Sequence, residues 1–523
     1  MLPLKTLLKV GTVLGEGTRA YTVEKINTEN IYLRGHPEAQ RGDKGSEKGA
    51  LRIIPTLVIE DILRGIESKV IQLDDIVRKR GDQKTDDHLF TLLGVDHDKF
   101  ILGYESTIYK ICELCLNGSI GTSILSNSAI STNAIPKPFL LLAGISGTGK
   151  TRFVREQAAA HRGGDLSNHC LIPVRPDWHE PSDLLGYISR IGQDGPRYVV
   201  TDLLRFVVKA WQDAAASSTA AELVCKLSDE MTPYWLCLDE MNLAPVEQYF
   251  ADYLSVLETR EWNEDGYHCD ALLKAATIRQ LDEAGEAALR KELDLDHAHD
   301  DLWQHFRKNG IPLPPNLIVA GTVNMDETTH GFSRKVIDRA FTIDFGVFYP
   351  NEFAEFFEPI TRPKVLGFPV LSSVTQGDLA VTPADADGSK SIAFLAAINA
   401  VLKATPFELA YRALNELLLA VVCFKPKDDA ELQAVWDDFL MSKVLPRIDG
   451  DAEKLNADGD SSLLTQLLGE IEKQFTNIGS AQRPDLLREK IDGSICTVDC
   501  RAKQKLDWMQ SRLHMNGFTT FWP

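Results

Sequence analysis

The sequence predicts an α/β protein whose largest part is built on a parallel sheet, with a small mixed α+β domain ahead of it and a helical region behind. Three observations lead there. Residues 138–350 alternate short apolar runs with amphipathic stretches, the pattern of repeated β-α-β units. The apolar run Phe139–Ala143 passes at once into a glycine-rich turn and then into a helix-forming stretch, RFVREQAAAH. Beyond residue 350 the apolar positions recur at helical spacing, as in TPFELAYRALNELLLAVV.

Taken in order, residues 1–115 read as a separate domain. VGTVLGEG, AYTVEKINTENIYLRG and ALRIIPTL have the look of short strands with Gly- and Asn-rich turns, and LVIEDILRGIESKV and STIYKICELCL of helices. Residues 116–137, rich in Ser, Asn, Thr and Gly and ending in two prolines, read as a linker. The core follows over 138–350, with a charged helical insertion at 264–312. Residues 351–523 form a helical lid and C-terminal region, closing with an aromatic tail, FTTFWP, expected to dock on the core. Thr382–Lys390, TPADADGSK, reads as an exposed loop.

Composition narrows the possibilities. With 523 residues, 44% hydrophobic and 25% charged, the chain is long enough for several domains of an ordinary water-soluble kind. No apolar run reaches the roughly 18–20 residues of a membrane span, so no membrane partner is expected. The nine scattered cysteines fit a reducing cytosol, and the expected location is cytoplasmic. The net charge is −19. Residues 1–115 hold 17 Lys and Arg against 18 Asp and Glu, the remainder 39 against 57. An acidic body repels nucleic-acid phosphates, so any DNA contact is expected from a local patch or from the near-neutral N-terminal domain. The Arg78–Arg80 triplet there reads as a solvated helix end. Cys112-x-x-Cys115 lacks a second pair, and His297, His299 and His305 lack a metal-ligand spacing, so none is read as a metal site.

The chemistry concentrates in the core. Gly144, Ile145, Ser146, Gly147, Thr148, Gly149, Lys150 and Thr151 fit G-x-x-x-x-G-K-[ST] between a strand and a helix, with Arg152 following in the helix. Glycines there let backbone amides turn inward around a polyphosphate. Lysine reaches the outer phosphates, and the threonine hydroxyl suits Mg²⁺. The expected ligands are ATP or GTP with Mg²⁺. About ninety residues on, the apolar strand YWLCL ends in Asp239-Glu240, where Asp239 would join the metal shell and Glu240 would activate water. Asn324 follows another core strand, placed to meet the γ-phosphate or its water. Arg334 and Arg339 lie on the next helix and Arg412 on the later amphipathic one.

The succession GISGTGKT, VRPDWHEPSDLLGY, LCLDEMNLAPVEQYFADYLSVLE, GTVNMDETTHGFSRKVIDRAF, FELAYRALNE and KVLPRIDG resembles the McrB-type branch of the AAA+ ring NTPases over residues 138–450. In that branch an Asn is followed three residues on by Asp. Here Asn324 matches, but the third position is Glu327, with Asp326 before it. The resemblance implies a hexameric motor working on DNA with an McrC-type nuclease subunit in restriction or phage defence. It also implies that Asn324 senses the γ-phosphate, that Arg339, ahead of Arg334, reaches a neighbour's nucleotide, and that Arg412 is the lid sensor. MoxR-like protein-remodelling ATPases share these motifs, so a chaperone is the rival expectation. Residues 1–115 are outside the resemblance and are expected to carry target recognition.

Overall fold

The computed structural model describes four strands within residues 13–55, and residues 134–522 apart from 192–194, 221, 264–265, 326–330, 456–461 and 479–481. The helices expected in 1–115, the Arg78–Arg80 triplet, Cys112 and Cys115, and Asp326 and Glu327 lie outside the described residues. Two compact units divide the chain, Met1–Ser128 and Ala129–Pro523.

In the first unit, Val13–Leu14, Tyr21–Ile26, Asn30–Gly35 and Leu51–Pro55 pair in sequence order as an antiparallel sheet. Those are the three stretches read as strands.

The second unit is organised around five parallel strands. We label them β1 (Phe139–Gly144), β2 (His169–Pro173), β3 (Tyr234–Asp239), β4 (Leu317–Asn324) and β5 (Phe341–Asp344). Their spatial order is β5-β1-β4-β3-β2. β1 and β4 are buried along their whole length, which is why β1 and the first five residues of β4 read as apolar runs rather than alternating ones. Helices α1 (Lys150–His161), α2 (Asp202–Ala214) and α3 (Ala251–Leu257) supply further core positions. On α2, Thr201 caps the first turn by accepting from the Leu204 amide. Because β4 lies between β1 and β3, whatever ends β4 stands between the glycine loop and the acidic strand end. Ligands of open parallel sheets gather at these C-terminal strand ends.

The stretch read as a linker ends inside this unit. Ala134 and Ile135 are buried, and the Ile135 amide donates to the Gly367 carbonyl at 3.2 Å. Lys137 donates to the Asp338 and Ala340 carbonyls and pairs with Glu416 at 2.7 Å. The Ser- and Asn-rich composition stops at Asn133, and the apolar Ala-Ile-Pro that follows already belongs to the core.

The region after 350 is less purely helical than its sequence suggests. Helices α4 (Tyr411–Phe424), α5 (Asp429–Phe439) and α6 (Arg501–Asn516) are present. So is an antiparallel sheet of Thr361–Pro363, Arg483–Lys490 and Ile495–Val498. The aromatic tail docks as expected: Phe518–Thr520 pairs with Asp449–Asp451 and Phe521 is fully buried. The TPADADGSK segment is only partly exposed. Asp385 is buried and accepts from the amides of Lys390 and Ser391, capping the helix Ser389–Leu402.

Buried charges hold the C-terminal region together. Arg483, fully buried, pairs with Asp437 at 2.6 Å and with Asp438. Arg501 pairs with Asp438 and Asp485, each at 2.8 Å, and Arg488 with Asp485. Burial works to raise the Asp485 carboxyl, but Arg501 and Arg488 prevail and hold it below the usual carboxylate range. Asp437 also accepts from the Arg501 and Ala502 amides, capping α6 at its positive end.

Candidate functional site: a phosphate loop facing an acidic strand end

The loop from Gly144 to Gly149 leaves β1 and opens directly into α1. Gly147 and Gly149 sit at φ +81° and +91°, values that L side chains rarely adopt. Lys150, 5% exposed, donates to the carbonyls of Gly144 (3.1 Å) and Ile145 (2.8 Å), so its ammonium lies back across the loop. Thr148 closes the turn by donating to the Ile145 carbonyl at 3.0 Å. Arg152 points away and pairs with Glu156 one turn on, on an exposed face.

A line of hydrogen bonds ties this loop to β3 and β4. The Thr151 hydroxyl donates to Asp239 Oδ1 at 2.7 Å, and the Thr322 hydroxyl donates to the same oxygen at 2.8 Å. Thr322 Oγ1 in turn accepts the Glu240 amide at 3.0 Å. Asn324 Nδ2 donates to Glu240 Oε1 at 3.1 Å, and Asn242 Nδ2 donates to the Asn324 carbonyl at 3.2 Å. The register places Asn324, the last residue of β4 rather than one beyond it, beside Gly144.

Glu240 has φ +53° and ψ +50°, a left-handed backbone on a residue with a full side chain. Such a conformation costs about 1–3 kcal/mol and persists only where neighbours hold it. Thr322 holds its amide, and the Leu243 amide holds its carbonyl at 2.9 Å. Gly321 completes the arrangement. A Cβ there would stand 2.4 Å from Met241 Sδ, so with glycine at this position the thioether of the residue after Glu240 lies against β4 without having to shift.

The loop residues, Asp239, Glu240 and Asn324 therefore come together as the sequence predicts. Thr322 was missed, although a signal was present: it is the one hydroxyl inside a strand buried at every position. The two oxygens on Thr151 and Asp239 fit Mg²⁺, which takes one or two protein oxygens and fills its shell from phosphate and water. Among the described residues no cluster of three or more His, Cys, Asp or Glu suits a metal. His305 is buried rather than solvated, against the Thr219 carbonyl at 3.0 Å.

The three arginines lie elsewhere. Arg339 grips Glu258 with two hydrogen bonds, at 2.7 and 2.9 Å, and Arg412 pairs with the same carboxylate at 2.5 Å. The Arg339 hydrogen bonds hold Glu258 below the usual carboxylate range against the opposing effect of burial, with Arg412 adding to them. Both arginines line a cavity with Lys137 and Pro138, at the start of β1. The glycine loop is at the other end of that six-residue strand, roughly 20 Å away at 3.3 Å per residue. Arg412 thus lies away from this chain's own loop, with the residues that precede β1, at the opposite end of the strand. Arg334 donates to the Pro406 carbonyl at 2.6 Å and lies 5.0 Å from the Phe407 ring.

Residues 373–518 match a family model described as a domain of unknown function, DUF8727. No curated protein matches the chain. Among solved structures, the chain is similar to one from Cytophaga hutchinsonii ATCC 33406 described as a "putative ATPase". The identity is 12%, with 63% of this chain and 82% of that one covered and a TM-score of 0.30.

Proposed function

We propose that this chain is a Mg²⁺-dependent nucleoside triphosphatase. The observation that carries the reading is Glu240, set in a left-handed backbone between Thr322 and Asn324. A protein that only bound nucleotide would need the loop and Asp239, but not a strained carboxylate aimed beside them. Loop amides and Lys150 bind and orient the triphosphate. Thr151 and Asp239 would hold Mg²⁺, which supplies positive charge to the phosphate oxygens. Glu240 takes a proton from water as the water oxygen bonds to the terminal phosphorus and the bridging P–O bond breaks, while Asn324 keeps the carboxylate directed.

Because Arg339 and Arg412 stand at the far end of the sheet, any part they play in hydrolysis is on a neighbouring copy's nucleotide. That favours a ring, with Glu258 holding both arginines at the subunit face. The motif succession extends the reading to an McrB-like cytoplasmic motor that acts on DNA with a nuclease partner.

The test is phosphate release from ATP and GTP. Glu240→Gln should keep nucleotide affinity and lose about 10²–10⁴-fold in kcat, and Lys150→Ala should lose binding. Turnover by Glu240→Gln at the wild-type rate would refute the assignment.

A further inference from the structure

A cavity of about 360 Å³ opens beside the first two residues of the loop, Gly144 and Ile145. Its other walls come from the segment after β5 and from α6, a helix more than 350 residues later in the chain. The lining is mostly apolar. Ile145 is 54% exposed, an unusual position for isoleucine in a glycine loop, and it faces this cavity with Val347 and Trp508. Trp508 is braced by two cations, Lys505 at 4.4 Å and Arg512 at 4.6 Å from its ring. Lys505 is itself fixed by Asp344 at 2.7 Å and by the buried Phe521 ring at 4.5 Å. The Trp508 wall is therefore rigid, and the buried ion cluster at the start of α6 anchors it from behind.

We propose that this cavity is the nucleobase site and that it selects adenine over guanine. The inference rests on the reading of the loop as a triphosphate site. A nucleotide whose phosphates lie on the loop places its base one ribose away from them, and this cavity adjoins the loop at its first residues, Gly144 and Ile145. Its size suits a purine, and its apolar walls suit a flat ring. Selectivity follows from hydrogen-bond pattern. Gln504 lines the cavity; its Nε2 donates one hydrogen to Asp499 at 3.2 Å and keeps a second, and with its Oε1 it offers one donor and one acceptor, the complement of adenine's amino group and neighbouring ring nitrogen. Guanine presents two adjacent donors, which a carboxylate would match. The carboxylate in this cavity, Asp344, is held by Lys505.

The experiment is calorimetric titration of the full chain with ADP, GDP and inorganic pyrophosphate, the last having phosphates and no base. Wild-type protein should bind ADP more tightly than GDP. Trp508→Ala should weaken ADP binding roughly tenfold, the size of one lost aromatic wall, and leave pyrophosphate unchanged. Trp508→Phe should recover most of the loss, which a merely unfolded variant would not. Gln504→Glu should shift the ADP-to-GDP ratio toward GDP. Equal losses for ADP and pyrophosphate in Trp508→Ala, or tighter GDP binding by the wild type, would overturn the proposal. Failure of the wild type to bind pyrophosphate at all would overturn the loop reading itself, a distinguishable result.

Discussion

Replacing Thr322 by valine tests whether Glu240 is held in place for catalysis. Valine keeps the volume and removes one hydroxyl from a residue that is 2% exposed. That hydroxyl makes two bonds, accepting the Glu240 amide at 3.0 Å and donating to Asp239 at 2.8 Å. Leaving a buried amide unsatisfied costs about 1–3 kcal/mol, and a bond to a carboxylate contributes about 1.5–3. Asp239 is half-buried and keeps Thr151, so the second loss falls at the low end. The sum is roughly 2.5–4.5 kcal/mol, but not all of it appears as lost stability. Without its anchor the Glu240 backbone can leave the left-handed region and recover about 1–3 kcal/mol. The carboxylate then moves away from the position where it meets water. A displacement near 1 Å at a reacting group costs about a hundredfold in rate. We therefore expect kcat to fall roughly 10- to 100-fold, with a smaller change in KM, since Thr322 reaches the loop only through Asp239. Steady-state phosphate release and a thermal melt on the same preparation are the assay, and Thr322→Ser, which keeps the hydroxyl, should restore kcat. A melt that drops while kcat stays at the wild-type value would refute the reasoning and make Thr322 a structural residue only.

Other expectations follow from the same geometry. If Arg339 and Arg412 act on a neighbour, mixing Lys150→Ala with Arg339→Ala should restore part of the activity that each lacks alone, and no recovery would return both arginines to a structural role. Saturating, slowly hydrolysed nucleotide should drive assembly seen by light scattering, because ligand at a subunit face stabilises the oligomer; a monomer at micromolar protein would contradict the ring. Arg483→Met should lower stability by about 3–5 kcal/mol, since it leaves Asp437 and Asp438 short of a cation in a buried site, and a urea midpoint unchanged from wild type would show the cluster to be dispensable. A chain beginning at Ala129 should keep basal turnover and lose any DNA stimulation, measured at two salt concentrations; undiminished DNA affinity would move recognition out of residues 1–115.

The loop and the acids were legible in the sequence because their chemistry is local. Gly144–Thr151 carries its own strand and helix, and Asp239-Glu240 ends a run that can only be a buried strand. Neither needs a distant partner to be understood. Thr322 was legible in principle, since a hydroxyl in a fully buried strand must have a partner, but the partner's identity depends on β4 lying between β1 and β3. Strand order of that kind is a long-range property. The surroundings of Arg412 depend on the same kind of property. Its helix was easy to read, yet which end of the strands its side chain reaches shows only in its pairing with Glu258, more than 150 residues earlier.

The segment Arg483–Lys490 shows the deeper difficulty. RPDLLREK looks solvated, because patterning treats charged positions as outward-facing. In the fold it alternates as a strand, with Arg483, Asp485 and Leu487 all turned inside. The charges tolerate burial because each one meets an opposite charge on α5 or α6: Arg483 on Asp437 and Asp438, and Asp485 on Arg501. Polarity therefore predicts exposure only when the partner is water. Where the partner is another side chain far along the sequence, the same residues become core. Here that core fixes α6 at its first turn, and α6 carries Trp508 and Gln504 to the mouth of the loop. A charged stretch with no motif of its own thus decides how the end of the chain reaches a site built from its middle.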